Sequence, residues 1–142
     1  MMARIAIFQS RTGIDPAANA DSLARAIDEA AAGGARMLFT PEMSGLLDRD
    51  SERARRSVTT EDRDPVLASC RDSARRNGIW LHLGSIAVAA GDSKFANRGF
   101  VIDSDGEIRA SYDKIHLFDV DLPTGESWRE SSVYRGGSEP VV

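Results

Sequence analysis

The chain has 142 residues, with 18 Lys+Arg against 22 Asp+Glu for a formal charge of −4, and 42% of it is hydrophobic. That is one modest domain at most, long enough to bury roughly 68–70% of its unfolded surface, which excludes disorder throughout. The mild acidity and the lack of a lysine-rich block exclude a nucleic-acid partner, and no window approaches the roughly 18 consecutive apolar residues of a membrane span. A single cysteine, Cys70, cannot make an internal disulfide, and the apolar stretch near the N-terminus is too short for a signal-peptide core. The expected address is cytoplasmic.

Residues 4–8 are apolar and β-branched enough for a buried strand. Asp15-Pro16 then supplies a capping carboxylate and a first-turn proline, so a helix is predicted. Leu23, Ala26, Ile27, Ala30 and Ala31 recur at helical steps, and Gly33-Gly34 ends the pattern. Met37-Leu38-Phe39 is a second short strand running into Thr40-Pro41-Glu42. Residues 48–63 are highly charged without an apolar face, which predicts a solvated loop or a short surface helix. Asp64-Pro65 repeats the cap-plus-proline signal for a helix through Val66, Leu67, Cys70 and Ala74, closed by Asn77-Gly78. A third strand is predicted over 79–89, a turn at Gly91-Asp92-Ser93, and a hairpin of 99–103 with 107–112 around Ser104-Asp105-Gly106. Together these runs give an α/β layered fold whose strand tips carry functional groups. Beyond Tyr112 the chain mixes charge with bulky apolar groups and is read as irregular, the kind of segment that lines sites.

Glu42 follows an apolar run and a proline, which places a carboxylate where a strand ends. It is either a general base or a solvent-facing loop acid. Lys114, at the end of the second hairpin strand and followed by Ile115, Leu117 and Phe118, is expected to project into a partly apolar cavity, as an oxyanion-stabilising amine or as an ordinary edge-strand lysine. Glu130 reads locally as an exposed acid. Cys70 invites a nucleophile hypothesis, yet it shares an apolar helical face with Val66, Leu67 and Ala74, where a thiol acts as a small hydrophobe. His82 and His116 lack partners at metal-ligand spacing, and no glycine-rich phosphate loop occurs, so no metal and no nucleotide cofactor is expected. The arginines between Arg49 and Arg56 could hold a substrate carboxylate or simply form a solvated face.

The segments Ile5-Ala6-Ile7-Phe8-Gln9, Phe39-Thr40-Pro41-Glu42-Met43, Gly84-Ser85-Ile86, Asn97 and, above all, Tyr112 to Glu130 together resemble the carbon–nitrogen hydrolase (nitrilase) superfamily, most closely its Nit-type amidases. The resemblance implies part of an α-β-β-α sandwich and a Glu-Lys-Cys mechanism on the amide bond of small ω-amides or deaminated glutathione. It makes Glu42 the general base, Lys114 the oxyanion-stabilising lysine and Glu130 the second glutamate. The family needs no cofactor and is usually a homo-oligomer. Its nucleophilic cysteine follows a strand beyond the Arg-Gly-Gly segment, a place that residues 1–142 do not reach. The expectation is therefore the N-terminal half of such a domain, inactive by itself, with an apolar face left open to self-association. The competing expectation is a non-catalytic relative that binds a carboxamide or a full-length partner.

Overall fold

The computed structural model describes residues 3–142. Strand β1 (Ile5–Ile7), helix α1 (Pro16–Ala32), strand β2 (Met37–Phe39), the short helix α2 (Ser51–Arg55), helix α3 (Pro65–Asn77) and strands β3 (Trp80–Ala89), β4 (Phe95–Ile102) and β5 (Ile108–Asp113) follow in order. The five strands form one sheet in chain order. β1, β2 and β3 run parallel, whereas β3–β4 and β4–β5 are antiparallel.

Local chemistry explains the helices. The Asp15 side chain accepts the Ala17 N–H and the Asp64 side chain accepts the Leu67 N–H, each just ahead of a proline that has no N–H to leave unpaired. Gly78 closes α3 in the left-handed conformation, and after α1 that conformation falls on Gly34, not Gly33.

Register defines two faces of the sheet. Ala6, Leu38, Leu81, Ile102 and Ile108 are cross-strand neighbours in one row, and they pack with Leu23, Ile27, Leu67, Cys70 and Ala74 of α1 and α3 into the main core. The opposite row runs Ile7, Phe39, His82, Val101 and Ala110, beside Ile5, Met37 and Trp80. This face has no helix over it among the described residues, and Ile5, Ile7 and Trp80 are exposed.

One predicted boundary and one predicted irregular segment are corrected. β4 begins at Phe95, four residues before the expected start at Gly99, because buried Asn97 and partly buried Arg98 find polar partners and so tolerate a strand interior. The segment after Tyr112 contains a second hairpin, β6 (Asp119–Asp121) with β7 (Ser127–Arg129), followed by a short 3₁₀ turn at Glu130–Ser132. Its strands are too short and too polar to show a period. The charged stretch at 48–63 is α2 plus a 3₁₀ turn, as expected of a surface segment.

Candidate active site

Glu42 stands on a five-residue loop, 40–44, that leaves β2 and is gripped by an irregularity of β3 between Leu83 and Ile86. The Thr40 N–H donates to the His82 carbonyl at 3.0 Å, the Gly84 N–H to Thr40 Oγ1 at 3.1 Å, the Met43 N–H to Ser85 Oγ at 2.9 Å, and the Ser44 N–H to the Ser85 carbonyl at 2.8 Å. Gly84 permits this approach, since a Cβ there would lie 2.4 Å from the carbonyl oxygens of both Thr40 and Pro41. Met43, directly after Glu42, has φ 56°, and it is the only non-glycine among the described residues with positive φ. Such a conformation costs on the order of 1 kcal/mol and persists because the loop's hydrogen bonds over-determine it.

Lys114 leaves the end of β5 with its N–H on the Asn97 carbonyl at 2.9 Å. Its Nζ lies 2.9 Å from Glu42 Oε1 and 3.0 Å from Glu130 Oε2. Asn97 completes the ring from β4, its Nδ2 donating to Glu42 Oε1 at 2.7 Å and to Glu130 Oε1 at 3.3 Å. Glu130 Oε2 also accepts the Phe118 N–H at 2.6 Å, which ties the β6–β7 hairpin to the cluster. The two acids differ in access: the Glu42 side chain is 57% exposed and that of Glu130 is 15% exposed.

The electrostatics follow from these contacts. Burial works against the Lys114 ammonium, but the hydrogen bonds and charges of Glu42 and Glu130 outweigh it and hold its pKa above the usual lysine value. Burial likewise opposes ionisation of Glu130, yet the Phe118 N–H, Lys114 and Asn97 overcome it and keep the acid below its ordinary range. Tyr134 packs edge-on against Phe95 and donates its hydroxyl to Met43 Sδ at 3.9 Å. Burial, with Glu130 and Glu42 adding to it, pushes the Tyr134 phenol up to about 12.

The three residues singled out in sequence thus meet at one point. The expected apolar cavity around Lys114 is instead a carboxylate pair, and Glu130 is partly buried where its local sequence read as an exposed acid. Cys70 is apart from them, buried in the helix–sheet core, where burial pushes its thiol up to about 12. Asn97, Ser85 and Tyr134 were given no chemical role by sequence, although an asparagine inside the run Phe95 to Ile102 was a signal that a buried amide needed partners. Among the described residues no group of three or more His, Cys, Asp or Glu is placed to hold a metal ion.

A family model for carbon-nitrogen hydrolases matches residues 4–142. The chain belongs to the carbon-nitrogen hydrolase family. Among curated relatives, this carbon-nitrogen hydrolase is 33% identical to the deaminated glutathione amidase of Yersinia enterocolitica over 77% of its own length and 39% of that protein's. It is 32% identical to the chloroplastic omega-amidase of Arabidopsis thaliana over 97% of its length and 38% of that protein's. The chain therefore spans about two-fifths of the length of these two curated relatives. Among solved structures, the NitFhit protein of C. elegans superposes with a TM-score of 0.83 at 28% identity, over 99% of this chain and 35% of that one. An amidase from Nesterenkonia sp. AN1, with acrylamide added at its active site cysteine, superposes with a TM-score of 0.78 at 28% identity, over 98% of this chain and 51% of that one.

Proposed function

We propose that this chain carries the acid–base half of an amidase site acting on the amide bond of small ω-amides or of deaminated glutathione. The observation that supports this reading is the convergence of Glu42, Lys114 and Glu130, drawn from three separate elements onto one ammonium. In this mechanism a thiolate attacks the amide carbon, Lys114 stabilises the developing oxyanion, ammonia leaves, and water hydrolyses the thioester while Glu42 takes up and returns the proton. Glu42 suits the base because its carboxylate is the more accessible. Glu130, fixed by the Phe118 N–H, holds Lys114 in place.

The thiol is not Cys70, the only cysteine of the 142 residues. A thiol pushed up to about 12 within a packed core has neither the charge nor the access of a nucleophile. Acid–base catalysis is worth about 10²–10⁴-fold, whereas loss of a nucleophile costs on the order of 10⁶, so these residues alone bind an amide without turning it over. The buried state of Cys70 equally favours the second reading, a carboxamide-binding relative that uses Glu42 and Lys114 as a clamp.

Two measurements on the purified 142-residue chain test this. Ammonia release from succinamate or butyramide is expected at the blank rate, and turnover abolished by Glu42→Gln overturns the placement of the nucleophile. In an NMR titration butyramide is expected to shift the Asn97 side-chain amide resonances saturably. No shift anywhere in the Glu42–Lys114–Glu130–Asn97 cluster overturns the amide reading itself.

A further inference from the structure

Residues 133–137, after the 3₁₀ turn that carries Glu130, cross the ends of two strands. The Phe95 N–H donates to the Val133 carbonyl at 3.0 Å and the Arg135 N–H donates to the Phe95 carbonyl at 2.8 Å, a short parallel bridge to the first residue of β4. Two residues on, the Gly137 N–H donates to the Lys114 carbonyl at 2.9 Å. β5 is the last strand of its sheet and ends at Asp113, so Lys114 has a strand beside it on one side only. β4 takes its N–H through Asn97, and this strap, in place of a further strand, supplies the donor for its carbonyl.

The two glycines of Arg135-Gly136-Gly137 are required by space, since neither has positive φ. A Cβ on Gly136 would lie 2.8 Å from the Ile115 carbonyl oxygen, and one on Gly137 would lie 2.4 Å from the Asp113 carbonyl oxygen and 2.9 Å from Asp113 Cβ. Asp113 and Ile115 flank Lys114, so the strap straddles that residue at a distance that only glycine allows. Asp113 is poorly placed to yield, because two hydrogen bonds from Arg98 hold its carboxylate. A methyl group at 137 therefore lifts the strap off the Lys114 carbonyl or shifts the end of β5.

We infer that Gly137 is a positioning residue for Lys114, setting where its flexible stem begins and so where the ammonium stands between Glu42 and Glu130. The inference rests on the acid–base reading above, in which a displacement of about 1 Å is worth on the order of 10²-fold in rate. It accounts for a segment that touches no reacting group and is nevertheless packed backbone to backbone against the residue that does.

The test is a carbon-13 NMR titration of the Glu130 carboxyl in the 142-residue chain. Burial disfavours that carboxylate, and the Phe118 N–H, Lys114 and Asn97 nonetheless keep it below its ordinary range. Gly137→Ala should raise its proton affinity about threefold or more, in the same direction as Lys114→Met. Gly136→Ala, which meets a single close atom, should do so to a smaller extent, and it takes the place of Gly137→Ala if that variant does not fold. Gly13→Ala, whose Cβ would meet nothing nearer than 3.7 Å, should leave the titration unchanged. The deciding step is the double variant: with Lys114→Met already present, the glycine substitution should add nothing. An unchanged titration in the folded glycine variant overturns the inference. So does an equal rise with and without Lys114, which would mean that the strap acts on Glu130 through the chain between them. Neither result touches the amide reading, which falls instead if butyramide leaves the parent cluster unshifted.

Discussion

Asn97 and Arg98 are consecutive in β4, and Asp113 and Lys114 are consecutive at the end of β5, so alternation sends the members of each pair to opposite sides of the sheet. On the helix side Arg98 holds Asp113 through two hydrogen bonds of 2.6 and 2.8 Å and Glu61 through one of 2.7 Å. On the open side Lys114 holds Glu42 and Glu130. The stoichiometry is the same, one cation to two carboxylates, and the chemistry is not. The planar fork of Arg98 locks Asp113 in register, and hydrogen bonding to that carboxylate raises the guanidinium pKa still further, so no proton moves there. The Lys114 ammonium is a compact charge that can turn between partners, and one partner, Glu42, faces solvent. The two clusters differ in the geometry of the cation and in the access to one acid, and that access is what the acid–base role proposed for Glu42 requires.

Substitutions can break this comparison. Arg98→Met should have the largest effect, lowering stability by about 2–3 kcal/mol, because it leaves two partly buried carboxylates unpaired. Lys114→Met should cost about 1 kcal/mol or less, since exposed Glu42 is resolvated at once and Glu130 keeps the hydrogen bonds from the Phe118 N–H and the Asn97 amide. Urea midpoints compare the two, and equal losses would erase the distinction between a structural and a chemical cluster. Asn97→Leu comes between them at about 1.5 kcal/mol, as the donor shared by both acids is lost, and the Glu130 carboxyl should titrate at higher pH in a carbon-13 NMR experiment.

The pH dependence sharpens the same contrast. Glu130 is held below its ordinary 4.5, so its contribution to stability is full above that pH and is lost as the pH falls through the lower folded value. Urea midpoints followed below pH 4.5 should therefore fall less steeply in Lys114→Met than in the parent chain. The smallest effect is expected of Tyr134→Phe, under about 0.5 kcal/mol at neutral pH, where only a long contact to sulfur is lost. Its signature lies at alkaline pH. The parent phenol stays protonated up to about 12, so its contribution declines between pH 10 and 12, and the variant should lack that part of the decline.

What sequence revealed and what it hid divide along physical lines. Asp15-Pro16, Asp64-Pro65 and Gly78 are local signals, resolved within one helical turn, and they placed α1 and α3. Glu42 and Lys114 were legible as strand-end residues and, through the family resemblance, as partners. Glu130 was not legible locally, because its burial depends on Phe118 and Lys114, which fold against it from outside its own turn. The β6–β7 hairpin was hidden for a related reason: it is held by Asp119, Asp121, Ser131 and Arg129, whose hydrogen bonds leave no trace in a hydrophobic pattern. The role of Asn97 needed the fold, since its two acceptors lie 55 and 33 residues away.

Those separations have a kinetic meaning. Lys114 and Glu130 are 16 residues apart, whereas Lys114 and Glu42 are 72 apart, with α3 and most of the sheet between them. Loop-closure entropy grows with the logarithm of length, so bringing Glu42 to the ammonium costs about 1.3 kcal/mol more than bringing Glu130 there. The hairpin half of the cluster can form early, and the Glu42 contact closes only when the strands between have paired. A probe on Glu42 is thus a clock for the end of folding, and any slow step in sheet assembly delays the site by the same interval.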